Sequence, residues 1–381
     1  MDYSELLFKE NESSQYDKYI KKKLCLINKK WIYSIKADKG EFTGKNVSEI
    51  INVINYCAKI NKFNYPLVFN LPKVMFCDKL SYVMLEIIYY HVTVKNKMNI
   101  AFNFKPIKSI YTEGILFSPL NEVSNFEKKF VFDLNMRHFR RLVPKSTNAN
   151  DDTLSSLMQD LNGYFINNGI GDEVSNQLSE VFSELVGNAY EHGGSDCLID
   201  VDVTNNNYYK ECEPDNQCYY GQNAVILNFS NTLFHESLKM KLQNVNDLPE
   251  RYLKVNTAKQ YHLKHLNDNY FENDFYTLSS FQHKISGSDR KNATGGTGLT
   301  RLINSLEEKV DNHYCYMISG KRILYFTNGC LKFDKDKFIG FNDSNDYMTS
   351  IPNKNIFATG NVFIPGTAYN LSFAIKKGWN L

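Results

Sequence analysis

The 381-residue chain has no excess of charge of either sign: 44 Lys and Arg stand against 42 Asp and Glu, a formal net charge of +2. No chain-wide field therefore draws it to nucleic acid or to a membrane surface. Paired cysteines are missing as well. Cys25, Cys57, Cys77, Cys197, Cys212, Cys218, Cys315 and Cys330 include no Cys-x-x-Cys, a scatter that in a chain this long indicates reduced thiols of an intracellular protein, not a disulfide framework. Cys212 and Cys218 are near neighbours, but no second ligand pair follows to complete a zinc site. Long apolar runs are absent too. The most apolar stretch, around Tyr82 to Tyr90, is too short to span a bilayer, and the polar N-terminal Met-Asp-Tyr-Ser-Glu has no signal-peptide core. The expected location is the cytoplasm, with neither membrane nor nucleic acid as partner.

What is present concentrates in two segments. The first is Glu184-Leu-Val-Gly-Asn188-Ala-Tyr-Glu-His192-Gly-Gly; the second is Thr294-Gly295-Gly296-Thr297-Gly298-Leu299. In a helix, Glu184, Asn188 and His192 stand four apart and form one polar stripe. Val174, Leu178, Val181, Leu185 and Ala189 keep helical spacing on an adjacent face that packs into a core. A carboxylate near a γ-phosphate can take a proton from water, although an isolated helix glutamate is ordinarily just solvated. One amide oxygen suffices for Mg²⁺, which keeps waters and phosphate oxygens as its other ligands. His192 either approaches the phosphates or closes the helix C-terminus, where a cation is favoured. Glycines 295, 296 and 298 let the main chain approach phosphates, and Thr297 adds a hydroxyl.

These segments resemble the N-box and second glycine box of the GHKL ATPases, the group of gyrase B subunits, MutL, ATPase chaperones, sensor histidine kinases and anti-sigma-factor kinases. The spacing is most similar to the anti-sigma kinase and gyrase types. Phe363-Ile-Pro-Gly366-Thr367-Ala-Tyr-Asn-Leu resembles the family's last strand, whose threonine sits beside adenine. The resemblance implies ATP and Mg²⁺ as cofactors, Asn188 on the metal, Glu184 as the base that activates water, and His192, Gly295, Gly296, Thr297, Gly298, Leu299 and Thr367 around the nucleotide. It also implies an α/β two-layer sandwich of the Bergerat type over residues 151–381, with helices on one face of a mixed sheet and a lid within 232–294. In the lid, Arg290 or Lys291 would offset γ-phosphate charge. The chain departs from the family at the first glycine box. The usual adenine-binding aspartate is replaced, with Ser230 at its position and Asn228 as the alternative.

Residues 1–118 read as a smaller α/β domain. Val47, Ile50, Ile51, Ile54 and Cys57 give a helical stripe, Pro66 to Leu71 a buried strand, Leu80 to His91 a second helix and Met98 to Phe104 another strand. Val74-Met-Phe-Cys-Asp78-Lys79-Leu-Ser-Tyr resembles the strand-to-helix turn of STAS domains, the fold of anti-sigma-factor antagonists. Those carry a phosphorylatable serine where this chain has Lys79. Residues 119–150 read as a connector with a docking strand, and Arg137, Arg140 and Arg141 as a solvated basic face. Further on, Cys197 to Val203 alternates as a strand with one buried face, Ala224 to Ser230 forms a second, and Tyr314 to Phe326 hairpin-like strands. The expected function is an ATP–Mg²⁺-dependent switch or slow ATPase acting on a protein partner or a second copy through the N-terminal domain. The alternatives are an anti-sigma-like serine kinase and a scaffold with a decayed nucleotide site.

Overall fold

The computed structural model describes residues 4–60, 62–76, 78–106, 123–145, 152–188, 194–204, 219–244, 248–286, 298–309 and 313–376. The N-terminal layer comprises α1 (Ser4–Glu10), α2 (Asp17–Lys23), β1 (Cys25–Ile27), β2 (Lys30–Ser34), β3 (Glu41–Phe42), α3 (Gly44–Lys59), β4 (Leu67–Phe76), α4 (Lys79–Tyr89), a π-helical turn at Tyr90–Lys95, and β5 (Ile100–Pro106). β4 is central and runs parallel to β2, β3 and β5, while β1 pairs antiparallel on the edge. α3 follows from its sequence: a capping box joins Thr43 and Asn46, and Val47, Ile50, Ile51, Ile54 and Cys57 are all buried.

The remaining elements build a second sheet with its own helices. In chain order they are α5 (Val123–Val131), β6 (Phe132–Leu134), β7 (His138–Val143), α6 (Thr153–Asn167), α7 (Asp172–Asn188), β8 (Cys197–Thr204), β9 (Tyr219–Asn228), α8 (Phe234–Asn244), α9 (Glu250–His262), α10 (Glu272–Ser279), α11 (Gly298–Lys309), β10 (His313–Tyr325) and β11 (Phe357–Lys376). The sheet order is β10-β11-β9-β8-β7-β6, antiparallel at every pairing. The molecule is thus mixed α/β with two sheets, and the sheet expected to be mixed is antiparallel.

Four further expectations meet a different structure. The connector of residues 119–150 supplies β6 and β7, the last strands of the six-stranded sheet. Tyr314 to Tyr325 is one strand. Gly320, at φ +59°, marks a bulge in it, because the register to β11 shifts on either side while pairing continues. Within the region assigned to a lid, α8, α9 and α10 are helical, and Leu238, Tyr252, Val255, Phe275 and Phe281 are buried in the core. The region is tied down by Gln282, whose amide donates to Ile339 O (3.0 Å) and accepts from Ile339 N (2.8 Å). Residues 287–294 of that span, including Arg290 and Lys291, lie outside the described residues. Finally, helices cover both faces of the six-stranded sheet. α6, α7 and α11 pack on one; α4 of the N-terminal layer packs on the other, with Leu198, Val225, Leu227, Ile318 and Ala368 beneath it.

α4 is buried from Lys79 through Ile88, which its all-round apolar composition requires. Asp78 caps it, accepting from Ser81 N (2.6 Å), and Asn370 of β11 accepts from Leu80 N (3.1 Å). Its two charges, seven residues apart, meet the sheet. Lys79 Nζ lies 2.6 Å from Asp200 Oδ1 and 2.6 Å from Asp202 Oδ2. Glu86 pairs with Arg140 of β7, which also pairs with Asp200. His138 bridges Asp133 (2.7 Å) and Asp200 (3.0 Å). The polar face of β8, expected to meet solvent, is therefore a buried ion network. Lys79 lies inside it. The three arginines do not form one basic face: Arg140 is internal, Arg141 pairs with Asp160 (2.7 Å), and Arg137 is exposed. Among the described cysteines, Cys25, Cys57, Cys197, Cys315 and Cys330 are free thiols; Cys77, Cys212 and Cys218 fall outside. No described helix is long and apolar enough to cross a membrane.

Burial alone would lower the basicity of Lys79 and Arg140, but their carboxylate partners outweigh it and raise both. Burial would raise Asp200; Arg140, Lys79 and His138 instead hold it well below the ordinary carboxylate value. Lys79→Ala leaves Asp200 and Asp202 buried with less compensation and is expected to cost about 3–5 kcal/mol in denaturant unfolding. For His138, burial would lower the pKa, but Asp200 and Asp133 raise it above its ordinary 6.5. A folded pKa above the unfolded one gives stability that is full below pH 6.5 and is lost as pH rises through the folded value. The melting temperature of the wild type should therefore fall on that limb, and His138→Gln should flatten the fall. A parallel decline in both proteins would refute the assignment.

Candidate nucleotide site

α7 places Glu184 and Asn188 on one stripe because its other face is committed to the core, where Val174, Leu178, Val181 and Leu185 are buried. Glu184 is 22% exposed, and Asn188, the last residue of the helix, is half-buried. Both therefore reach solvent from a fixed backbone.

α11 packs against α7 through Leu302, Ile303 and Leu306, with Leu299 partly buried at the same contact. Arg301 fixes the level at which the two helices meet. Its Nη1 lies 3.0 Å from Glu180 Oε2 and 3.9 Å from Glu184 Oε2. Gly298 opens α11 three residues earlier, about 4.5 Å of helical rise away. The end of the glycine segment is thus within about one turn of the Glu184 level. Arg301 was not among the residues expected from sequence. The signal available was its place one turn beyond the glycine segment, on the helix face opposite Leu302 and Leu306.

On the sheet face that α7 covers, the end of β9 and the start of β8 lie beside the middle of β11. Thr367 of β11 is directly opposite Asn228 of β9, and Asn228 is opposite Cys197 of β8. Side chains alternate along a strand. Ala224 and Ile226 join the core beneath α6 and α7, so Asn228 faces that same side; Tyr369 and Leu371 place Thr367 there too. Ser230 lies two residues beyond the strand end, buried, with its Oγ accepting from Thr232 N (3.0 Å). Of the two candidates for the missing aspartate, Asn228 is the one that stands beside Thr367, while Ser230 shapes the turn.

Gly366 makes this approach possible. Its φ is +83°, and a Cβ there would overlap the Asn228 carbonyl oxygen and lie 2.7 Å from Ser230 N. Its carbonyl accepts from Ser319 Oγ (2.6 Å), whose oxygen in turn accepts from Phe234 N (2.9 Å). The bulge near Gly320, the start of α8 and the Gly366-Thr367 strand are thereby joined. His192, Gly295, Gly296 and Thr297 lie outside the described residues.

Comparison of the chain with protein-family models, curated proteins and solved structures returned no match.

Gly366→Ala combines a left-handed backbone with a main-chain overlap and should destabilise by on the order of 1–3 kcal/mol. Thermal unfolding checks this; a melting temperature equal to wild type would mean that β11 moves away from Asn228 freely.

Proposed function

We propose that this protein is an ATP–Mg²⁺-binding switch built on a Bergerat-type, GHKL-like domain, acting in the cytoplasm on a protein partner. The observation that carries the reading is the pairing of Asn228 with Thr367 on the sheet face covered by α7, with the start of α11 within about one turn of the Glu184 level. Four segments distant in sequence contribute to one face, in the arrangement that a purine over the strand ends and phosphates toward a helix N-terminus require.

The residues fit the cofactors. Mg²⁺ takes hard oxygen donors and needs few from the protein; the Asn188 amide oxygen is such a donor on a half-buried helix end. Bound Mg²⁺ would supply charge neutralisation to the phosphates. Glu184 holds a carboxylate at partly exposed depth from which it takes a proton from water, giving slow hydrolysis. Arg301 positions that carboxylate through its contact with Glu184 and Glu180. Asn228 and Thr367 supply neutral hydrogen-bonding groups to the base, and a neutral acceptor holds an amino group less firmly than a carboxylate.

β8 and β9 carry the site on one face and the N-terminal layer on the other, so nucleotide-dependent adjustment of these strands is felt by α4. A partner, or a second copy, would meet the open β1 edge of the N-terminal sheet, where Leu26 and Ile27 are half-exposed.

Calorimetric titration with ATP, with and without Mg²⁺, tests the reading. Wild type should bind in a Mg²⁺-dependent manner, and Asn188→Ala should lose that dependence. Absence of binding by wild type at millimolar ATP would reject the proposal in favour of a scaffold. Asn228→Asp restores a charge-assisted acceptor and should tighten ATP about tenfold, roughly 1.4 kcal/mol, whereas Ser230→Asp should not. Glu184→Gln should abolish phosphate release while leaving binding intact.

A further inference from the structure

On the sheet face turned away from α7 there is a cavity of about 570 Å³ between the N-terminal layer and the sheet. Its walls are apolar: Ile87 from α4, Phe130 from α5, Leu142 from β7, Leu198 from β8, and Leu227 and Phe229 at the end of β9. It stands back to back with the candidate nucleotide site, since Leu227 faces the α4 side and Asn228 the α7 side of the same strand.

Three observations separate it from a packing defect. First, its wall includes the π-helical turn Tyr90–Lys95, which contributes Tyr90, His91 and Lys95. Such turns are rare and are frequently found at functional sites. This one is held by stacking of Tyr90 on Phe130 (4.1 Å between ring centres) and of His91 on Phe8 (4.8 Å). Second, Ser195 lines the cavity at 3% exposure, and its hydroxyl has no hydrogen-bond partner among the described residues. A buried unpaired hydroxyl is destabilising, and a ligand acceptor removes that cost. Third, Lys95 and Lys145 line the same cavity, with Asp196 as its one acidic residue among those described. Lys145 Nζ folds over Gly194, 3.4 Å from where a Cβ would stand, and Lys145 N donates to Asp196 Oδ1 (2.8 Å). The polar lining therefore carries an uncompensated positive charge beside apolar walls.

We propose that this cavity is a second ligand site that takes an amphipathic monoanion: an apolar body the size of a medium-chain fatty acid, with its carboxylate bonded to Ser195 and neutralised by Lys95 and Lys145. The volume lies within the roughly 300–1,000 Å³ of small-molecule sites. The inference is independent of the nucleotide reading, because the sheet separates the two sites.

Sodium decanoate is the probe, titrated calorimetrically into the full chain below its micellar concentration and followed in parallel by thermal unfolding. Wild type should bind decanoate and melt at a higher temperature with it, and decylammonium should do neither. The double variant Lys95→Gln/Lys145→Gln, which changes only exposed side chains, should bind decanoate at least tenfold more weakly. Ser195→Ala should weaken it several-fold. Leu142→Trp should fill the cavity and abolish binding, with an unchanged far-UV spectrum as the check on folding. The proposal is overturned if wild type shows no decanoate binding up to millimolar concentrations, if the double variant binds as tightly as wild type, or if decylammonium binds equally well.

Discussion

The structure depends on a set of buried charges. Lys79 and Glu86 of α4 meet Asp200, Asp202 and Arg140 of the sheet, all internal, and His138 links them to the partly exposed Asp133. Burying ions is expensive, and the attraction between them offsets that cost only where each has a close partner of opposite sign. Here the carboxylates and cations alternate, so the network holds α4 in a single axial and rotational setting. It also fixes β8. A one-residue slip would turn Asp200 and Asp202 into the core beneath α7 and carry Ile199 and Val201 to the charged side. Stability alone would be served as well by apolar residues; the charges add the choice of register.

That choice has a consequence for the site. Asn228, Thr367 and Cys197 are in line only while β8, β9 and β11 keep their register. The ion network on one face thus sets the alignment on the other. Gly366 acts on the same strands locally, since a larger residue would push β11 away from Asn228. The two faces of the sheet are consequently not separable units. The N-terminal layer completes the core of the second sheet, and the apolar cavity with its π-helical wall lies in the seam between them.

Much of the secondary structure was legible because single periodicities governed it. The stripes of α3, α7 and α11 appear in the expected places, and the buried strand at β4 follows its apolar run. Segments whose environment comes from distant residues were not legible. β6 and β7 have the composition of a linker, because Asp133, His138 and Arg140 are polar, yet Asp200 of β8 and Glu86 of α4 take His138 and Arg140 inside. The alternation of β8 correctly indicated a strand but suggested a wet face, since periodicity reports the difference between faces and not which one meets water. Gly320 gives the signal of a turn, and only the twenty-residue β11 beside it makes the position a bulge.

The site divides in the same way. The sequence by itself determined that Glu184 and Asn188 share one helical stripe, and that Gly298 opens a helix whose apolar face packs, because helical geometry is local. Only the tertiary structure decided that Arg301 reaches Glu180 and Glu184 and that Asn228 stands opposite Thr367. These are pairings between residues more than a hundred positions apart, or facts of strand register. Register is set by the burial of whole faces and the pairing of internal charges, and no short motif contains that information.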